Sequence, residues 1–258
     1  MNLAKNTRIL ADAAIDAGIK RIILSEFGGF VLSSLRASIV IDVQRSSDFQ
    51  NSPRKDRPIL QVKVDAQAYV EGKAKEGKTT WTTISVGPFF DWGLVQSVLG
   101  FGALTLGIEC GARLTTFVDL KNKKATLFDG GNHLFHSTTL DSIGKSVVGV
   151  LSRPAATENK PIRVHDFFVT QKDILALLEA ELGPFTVQDV GVSQLIEHCN
   201  AGLARGEFNE ANILGLLQAY IFGAESSFCR WPKEDDSALL GLPKRDIKEE
   251  VKKVLATL

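Results

Sequence analysis

The chain has little of what a secreted, membrane-spanning or nucleic-acid-binding protein needs. Its 258 residues include 3 cysteines. Cys110, Cys199 and Cys229 are odd in number and far apart, which suits reduced core thiols and argues against a disulfide framework or a metal site. An excess of one charge is missing too. The 30 Lys and Arg balance 30 Asp and Glu, leaving no electrostatic footprint for nucleic acid or an anionic membrane. No uninterrupted apolar run reaches spanning length, and the N-terminus lacks the basic, apolar and small-residue regions of a signal peptide, so a cytoplasmic protein is expected. The basic run Lys121-Asn122-Lys123-Lys124 lies between two apolar stretches, Leu114 to Leu120 and Ala125 to Phe128, and reads as a solvated hairpin turn. What remains is a 44% hydrophobic chain, ample for a globular core in two lobes.

The order of elements is α/β. An amphipathic helix through Ile9, Leu10, Ala13, Ala14 and Ala17 stops at Gly18, and Ile19 to Leu24 forms a strand ending in Ser25-Glu26-Phe27-Gly28. In an open α/β sheet such strand tips face the ligand. These first residues read as the middle of a nucleotide-binding fold. After an irregular stretch to Pro58, a helix is expected from Ile59 to Glu76 and a strand from Trp81 to Val86, closed by Gly87-Pro88. Further on, the pattern predicts a helix near Leu94 to Leu99, a hairpin across Asn122 and a turn at Asp129-Gly130-Gly131-Asn132. Leu140, Ile143, Val147, Val148 and Leu151 mark a helix ended by Pro154. One strand is read from Pro161 to Phe168. Thr170 with Asp173 makes a capping-box start for a helix from Ile174 to Leu182, with Gly183 after it. A strand from Phe185 to Val190 and helices near Ser193 to Ala204, Glu210 to Phe222 and Arg245 to Leu255 complete the chain.

Five runs, taken in order, carry a family resemblance: ILADAAIDAGIKRIILSEFG, VKVDAQAYV, WTTISVGPFFD, FDGGNHLFHSTTLDSIGKSVVGVL and LLGLPKRDIKEEVKKVL. Together they resemble the NmrA-like family of isoflavone reductase-like and phenylcoumaran benzylic ether reductase-like proteins, fungal type. The resemblance implies a Rossmann domain with a smaller α+β substrate lobe, and hydride transfer from NADP(H) to a small, often phenolic, molecule. It also implies that residues 1–92 are the C-terminal part of the Rossmann domain and that residues 93–258 are mainly the substrate lobe, with some segments returning to the Rossmann sheet. The family's glycine-rich phosphate loop has no counterpart in this sequence, so an incomplete parallel sheet, with its N-terminal half missing, and weak cofactor binding are expected.

The resemblance places the family's catalytic lysine at Lys63. An ammonium in a water-poor cleft beside a positive nicotinamide has its proton loosened by desolvation and like-charge repulsion, so it can relay a proton while hydride moves. Read without the family, Lys63 is a surface helix lysine. The same resemblance sets Ser25, Glu26 and Phe27 at one strand tip, and Gly87, Pro88 and Phe89 at the next, around the nicotinamide and its ribose. The plainer reading is two tight turns with Phe27 and Phe89 in the core. Plant members have Asn-Cys-Phe where this chain has Gly87-Pro88-Phe89, which puts plant-type phenolic substrates in doubt.

Other signals are weaker. Tyr69 and Lys73 have a Tyr-x-x-x-Lys spacing, yet Gly72 and the charges from Lys73 to Lys78 suggest a fraying, solvated helix end. Gly100-Phe101-Gly102 lacks the third glycine, replaced by Thr105, and any surrounding βαβ unit. His133 and His136 have no nearby thiol or carboxylate partner and are read as surface or pocket-lining. Residues 29–44 interrupt the family pattern. They are either translated non-coding sequence or a real insertion in which Ile39 to Val43 pairs with a bare sheet edge. Three functions therefore stay open: an NAD(P)H-dependent oxidoreductase, a cofactor-sensing regulator, and an inactive fragment.

Overall fold

The computed structural model describes residues 3–24, 58–99, 117–223 and 235–257. In chain order, α1 (Leu3–Asp16), β1 (Arg21–Leu24), α2 (Pro58–Lys75), β2 (Thr80–Ser85) and α3 (Phe90–Leu99) come first. The hairpin strands β3 (Val118–Asp119) and β4 (Lys124–Phe128) follow, then β5 (Phe135–Ser137), α4 (Leu140–Ser152) and α5 (Pro154–Thr157). The rest is β6 (Lys160–Arg163), β7 (Phe167–Val169), α6 (Gln171–Leu182), β8 (Thr186–Val190), α7 (Val192–Ala204), α8 (Glu210–Phe222), α9 (Ser237–Leu240) and α10 (Ile247–Leu255). The expected α/β fold with a parallel sheet is met. Among the described residues no helix is long and apolar enough to cross a membrane.

The chain divides into two compact units, the first made of Met1–Gly87, Asp141–Val164 and Glu234–Pro243, the second of Pro88–Leu140, His165–Lys233 and Lys244–Leu258. In the first unit β1, β2 and β6 form a parallel sheet with β2 in the middle. The register runs from Arg21 opposite Thr80 to Leu24 opposite Thr83, and from Thr82 opposite Lys160 to Ser85 opposite Arg163. A parallel central strand is buried on both faces, and the hydroxyls of β2 therefore need internal acceptors. Thr82 Oγ1 donates to the Thr157 carbonyl at 2.8 Å. Ala11, Leu24, Val70 and Trp81 pack α1, β1, α2 and β2 into one apolar cluster.

The second unit is built around phenylalanine. Phe222, at the end of α8, has its ring 5.7 Å from Phe117, 5.6 Å from Phe128 and 5.0 Å from Phe135, centroid to centroid. The β3–β4 hairpin turns at Asn122, where the Asp119 carboxylate accepts from both the backbone and side-chain amides. β4 then pairs parallel with β8, and β5 pairs antiparallel with β7. The capping box is present: Thr170 Oγ1 accepts from the Asp173 amide at 3.1 Å and the Asp173 carboxylate accepts from the Thr170 amide at 2.8 Å.

Two expectations change. The single strand from Pro161 to Phe168 is two strands in different sheets, β6 and β7. The break comes because the Val164 amide continues the ladder to the Ser85 carbonyl, whereas the Asp166 amide donates to the Ser137 carbonyl and its carboxylate accepts from Thr139 N and Oγ1. As expected, Pro154 ends α4, which stops at Ser152 because Arg153, the residue before the proline, leaves the helical region. The proline opens α5 at the first helical position, where its missing N–H costs nothing. The last helix starts at Ile247, because Asp246 caps it by accepting from the Lys248 and Glu249 amides. Residues 25–57, with the interruption at 29–44, and Gly100-Phe101-Gly102, Cys110 and Cys229 lie outside the described residues.

Candidate functional site

The three parallel strands of the first unit finish at one edge, with Leu24, Ser85 and Arg163 as their last residues. In open α/β sheets this C-terminal edge is where ligands bind. β2 runs into it through Ser85 and Val86, both buried, and leaves through Gly87 at φ +66°. A left-handed backbone favours glycine, and glycine leaves that tip without a side chain. Beside it the end of β6 is clamped from both sides. The Arg163 amide donates to the Asp236 carboxylate at 2.8 Å, and the Asp236 amide donates to the Arg163 carbonyl at 2.7 Å. The Nε of Arg163 is buried and has no hydrogen-bond partner among the described residues.

The residues named from sequence distribute as follows. Ser25, Glu26 and Phe27 follow β1 directly and lie outside the described residues. Lys63 is in the second turn of α2, the helix that precedes β2. Gly87 closes the first unit. Pro88 and Phe89 begin the second. There the Pro88 carbonyl accepts from Ser137 Oγ at 2.8 Å and from the Thr138 amide at 3.1 Å. Phe89 is half-buried and meets Trp92 edge-on at 6.2 Å. Phe89, Phe90, Phe117, Phe135 and Phe222 surround a cavity of 20 Å³, which holds about one water. Phe90, Phe117, Phe135 and Phe222 belong to the apolar core of the second unit. A larger cleft of 460 Å³ in the first unit, lined by Gln67, Glu71, Trp81, Asn159 and Pro161, sits at the opposite, N-terminal ends of β2 and β6.

The Tyr-x-x-x-Lys pair faces α1. The Tyr69 hydroxyl donates to Asp12 at 2.6 Å and Lys73 Nζ stands 3.9 Å from the same carboxylate. That hydrogen bond, followed by burial and the charge of Asp12, raises the phenol above its ordinary value, the wrong direction for a group that must give up its proton near neutrality. His136 is not on the surface: it is fully buried, stacked on Phe168 and edge-on to His165, each at 4.3 Å. Among the described residues no group of three or more His, Cys, Asp or Glu could hold a metal ion.

No family model matches the sequence. Over 254 residues the chain is 28% identical to oxidoreductase poxI of Penicillium oxalicum, an alignment covering 96% of this chain and 69% of that protein. The chain is a distant homologue of a fungal oxidoreductase. Its fold is that of the NmrA-like, isoflavone reductase-type proteins. A crystal structure of isoflavone reductase matches with a TM-score of 0.59 at 17% identity, over 96% of this chain and 70% of that one. The Citrobacter triphenylmethane reductase complexed with NADP(H) matches with a TM-score of 0.58 at 16% identity, over 97% and 70%.

Arg163 is the residue of this edge that sequence reasoning did not single out. It ends the short strand Lys-Pro-Ile-Arg, which carries a second cation at Lys160 and so offers no local signal. Its backbone partner, Asp236, lies 73 positions away, beyond the reach of any local pattern.

Proposed function

We propose that this chain is an NAD(P)H-dependent oxidoreductase of the isoflavone reductase type, acting on a small molecule. The observation that supports the reading is the shared C-terminal edge of β1, β2 and β6, in a fold common to reductases whose crystals hold NADP(H). The residues at that edge fit such a cofactor. Gly87 keeps the β2 tip clear of a side chain, and Arg163 Nε is a buried donor without an acceptor among the described residues. Ser25, Glu26 and Phe27 after β1, with Gly87, Pro88 and Phe89 after β2, are assigned to the surroundings of the nicotinamide and ribose. A bound reduced nicotinamide supplies hydride.

Lys63 is assigned the proton. A lysine held in a dry site, with a second positive charge nearby, has its ammonium destabilised and can donate and recover a proton at neutral pH. Its placement on α2, between β1 and β2 in the chain, puts it on the connection of the same parallel pair. The aromatic cavity of the second unit is too small to add a phenolic ring to the argument, so the substrate class is left at small molecules.

Cofactor affinity is the first measurement, because the sequence contains no Gly-x-Gly-x-x-Gly run. Weak but saturable quenching or enhancement of NADPH fluorescence, followed by cofactor oxidation with a panel of carbonyl and phenolic compounds, is the expected result. Saturable binding with no turnover across the panel would turn the reading to a cofactor sensor. Absence of binding would remove both.

A further inference from the structure

Arg163 ends β6, pairs in register with Ser85 of β2 and lies beside the strand tip that leaves through Gly87. Its main chain is fixed by Asp236 on both sides, at 2.8 and 2.7 Å. Its side chain is handled differently. Nε is buried, and among the described residues it meets no acceptor. The carboxylate of Asp236 is committed to the backbone amide of Arg163, and the neighbouring β2 residues, Thr83 and Ser85, are buried and neutral.

A donor withdrawn from water without an acceptor is destabilising, and a guanidinium cannot escape that cost by losing its proton. Core packing alone does not explain the arrangement, since an apolar side chain of similar length would fill the space without the penalty. An acceptor that arrives with a ligand does explain it. We propose that Arg163 binds an anionic oxygen, phosphate or carboxylate, on the molecule seated at the C-terminal edge of the β1–β2–β6 sheet. The inference rests on the reading that this edge is the ligand site. Two sources share the chemistry: a phosphate of the dinucleotide, or an acidic substituent of the small molecule that is reduced. A guanidinium suits either, because its planar fork meets two oxygens at once, and the clamp from Asp236 fixes the backbone from which it extends.

The test uses the full chain as wild type, Arg163→Met and Arg163→Lys. Thermal unfolding is compared in phosphate and in chloride at equal ionic strength, and NADPH is titrated by fluorescence. Wild type is expected to unfold at a higher temperature in phosphate. Arg163→Met should lose that rise, while Arg163→Lys keeps part of it. Without phosphate, Arg163→Met should unfold no lower than wild type, because it discards a buried Nε donor that meets no acceptor among the described residues. A tenfold or so weaker NADPH affinity in Arg163→Met, the size expected for losing a charged hydrogen bond, assigns the anion to the cofactor. Unchanged NADPH affinity, with phosphate still stabilising the NADPH-saturated wild type, assigns it to the substrate. No phosphate-specific rise in wild type, an equal rise in Arg163→Met, or severe destabilisation of phosphate-free Arg163→Met would each overturn the proposal. Failure of wild type to bind NADPH would instead strike at the proposed function, and the phosphate comparison would still report on Arg163.

Discussion

The Tyr69 hydroxyl donates to the Asp12 carboxylate at 2.6 Å and so ties α2 to α1. A spacing that looks catalytic on paper is thereby used to join two helices, and Lys73, 3.9 Å from the same carboxylate, belongs to the same tie. Tyr69→Phe should lower unfolding stability slightly, through the lost hydrogen bond, and leave turnover nearly unchanged. Chemical denaturation alongside a steady-state assay reads both. A collapse of turnover at wild-type stability would return the chemistry to the Tyr69–Lys73 pair.

Lys63→Ala separates chemistry from binding. If Lys63 moves the proton, turnover should fall by roughly 10²–10⁴-fold, as for a removed general acid or base, while NADPH affinity stays close to wild type because it rests on contacts elsewhere. Turnover that survives the change would return Lys63 to an ordinary helix lysine.

Local features were legible in the sequence, and contacts across long separations were not. Thr170 and Asp173 show their capping box three residues apart, and Asn122 marks its hairpin through Asp119, also three residues away. The alternation of α1, β1, α2 and β2 was equally readable, because apolar periodicity changes from helix to strand at Gly18 and again near Gly77. The run from Pro161 to Phe168 was misread because Ile162, Val164, Phe167 and Phe168 give it the look of one continuous strand. What divides it is Asp166 meeting Thr139, 27 positions earlier. His136 offered no sign of burial either, since Phe168 and His165 cover it from another strand and its approach. At the candidate site, the sequence points to the strand tips and to Lys63. The clamp on Arg163 depends on Asp236 and could be found only in three dimensions.

Two glycines on α4 should respond to alanine in opposite ways. A Cβ on Gly149 would stand 2.9 Å from Leu240 Cβ and 3.0 Å from the Leu240 carbonyl oxygen, whereas one on Gly144 meets nothing within 4 Å. Gly144→Ala should therefore stabilise the protein by about 0.5–1 kcal/mol, through helix propensity and a less flexible unfolded chain. Gly149→Ala should cost about 1–3 kcal/mol, because overpacking against α9 outweighs the same gain. Urea unfolding of the two variants checks the sign of each, and equal effects would mean that α9 yields freely.

Acid should unfasten α10. Arg245 Nη1 donates to Glu250 Oε1 at 3.0 Å, its Nε lies 3.5 Å from Asp166 Oδ1, and Lys253 Nζ donates to the same Glu250 oxygen at 2.8 Å. Lys253 is exposed, but the other three are largely buried, with 12% of the Arg245 side chain exposed, 10% of Glu250 and 2% of Asp166. Burial by itself pushes the Glu250 carboxyl up, but the hydrogen bonds from Lys253 and Arg245, with their charges, outweigh it and hold the group below its ordinary value. A carboxyl whose folded value lies below its unfolded one, about 4.3 for glutamate, contributes stability that is fully present above the unfolded value. That contribution disappears as pH falls through the folded value. Glu250→Gln should thus be less stable than wild type at pH 7, by about 1–3 kcal/mol, and the gap should narrow as the pH is lowered below about 4.3. Denaturation of both proteins across that range supplies the comparison. A gap that persists at low pH would mean that packing of the side chain, and not its charge, holds α10 in place.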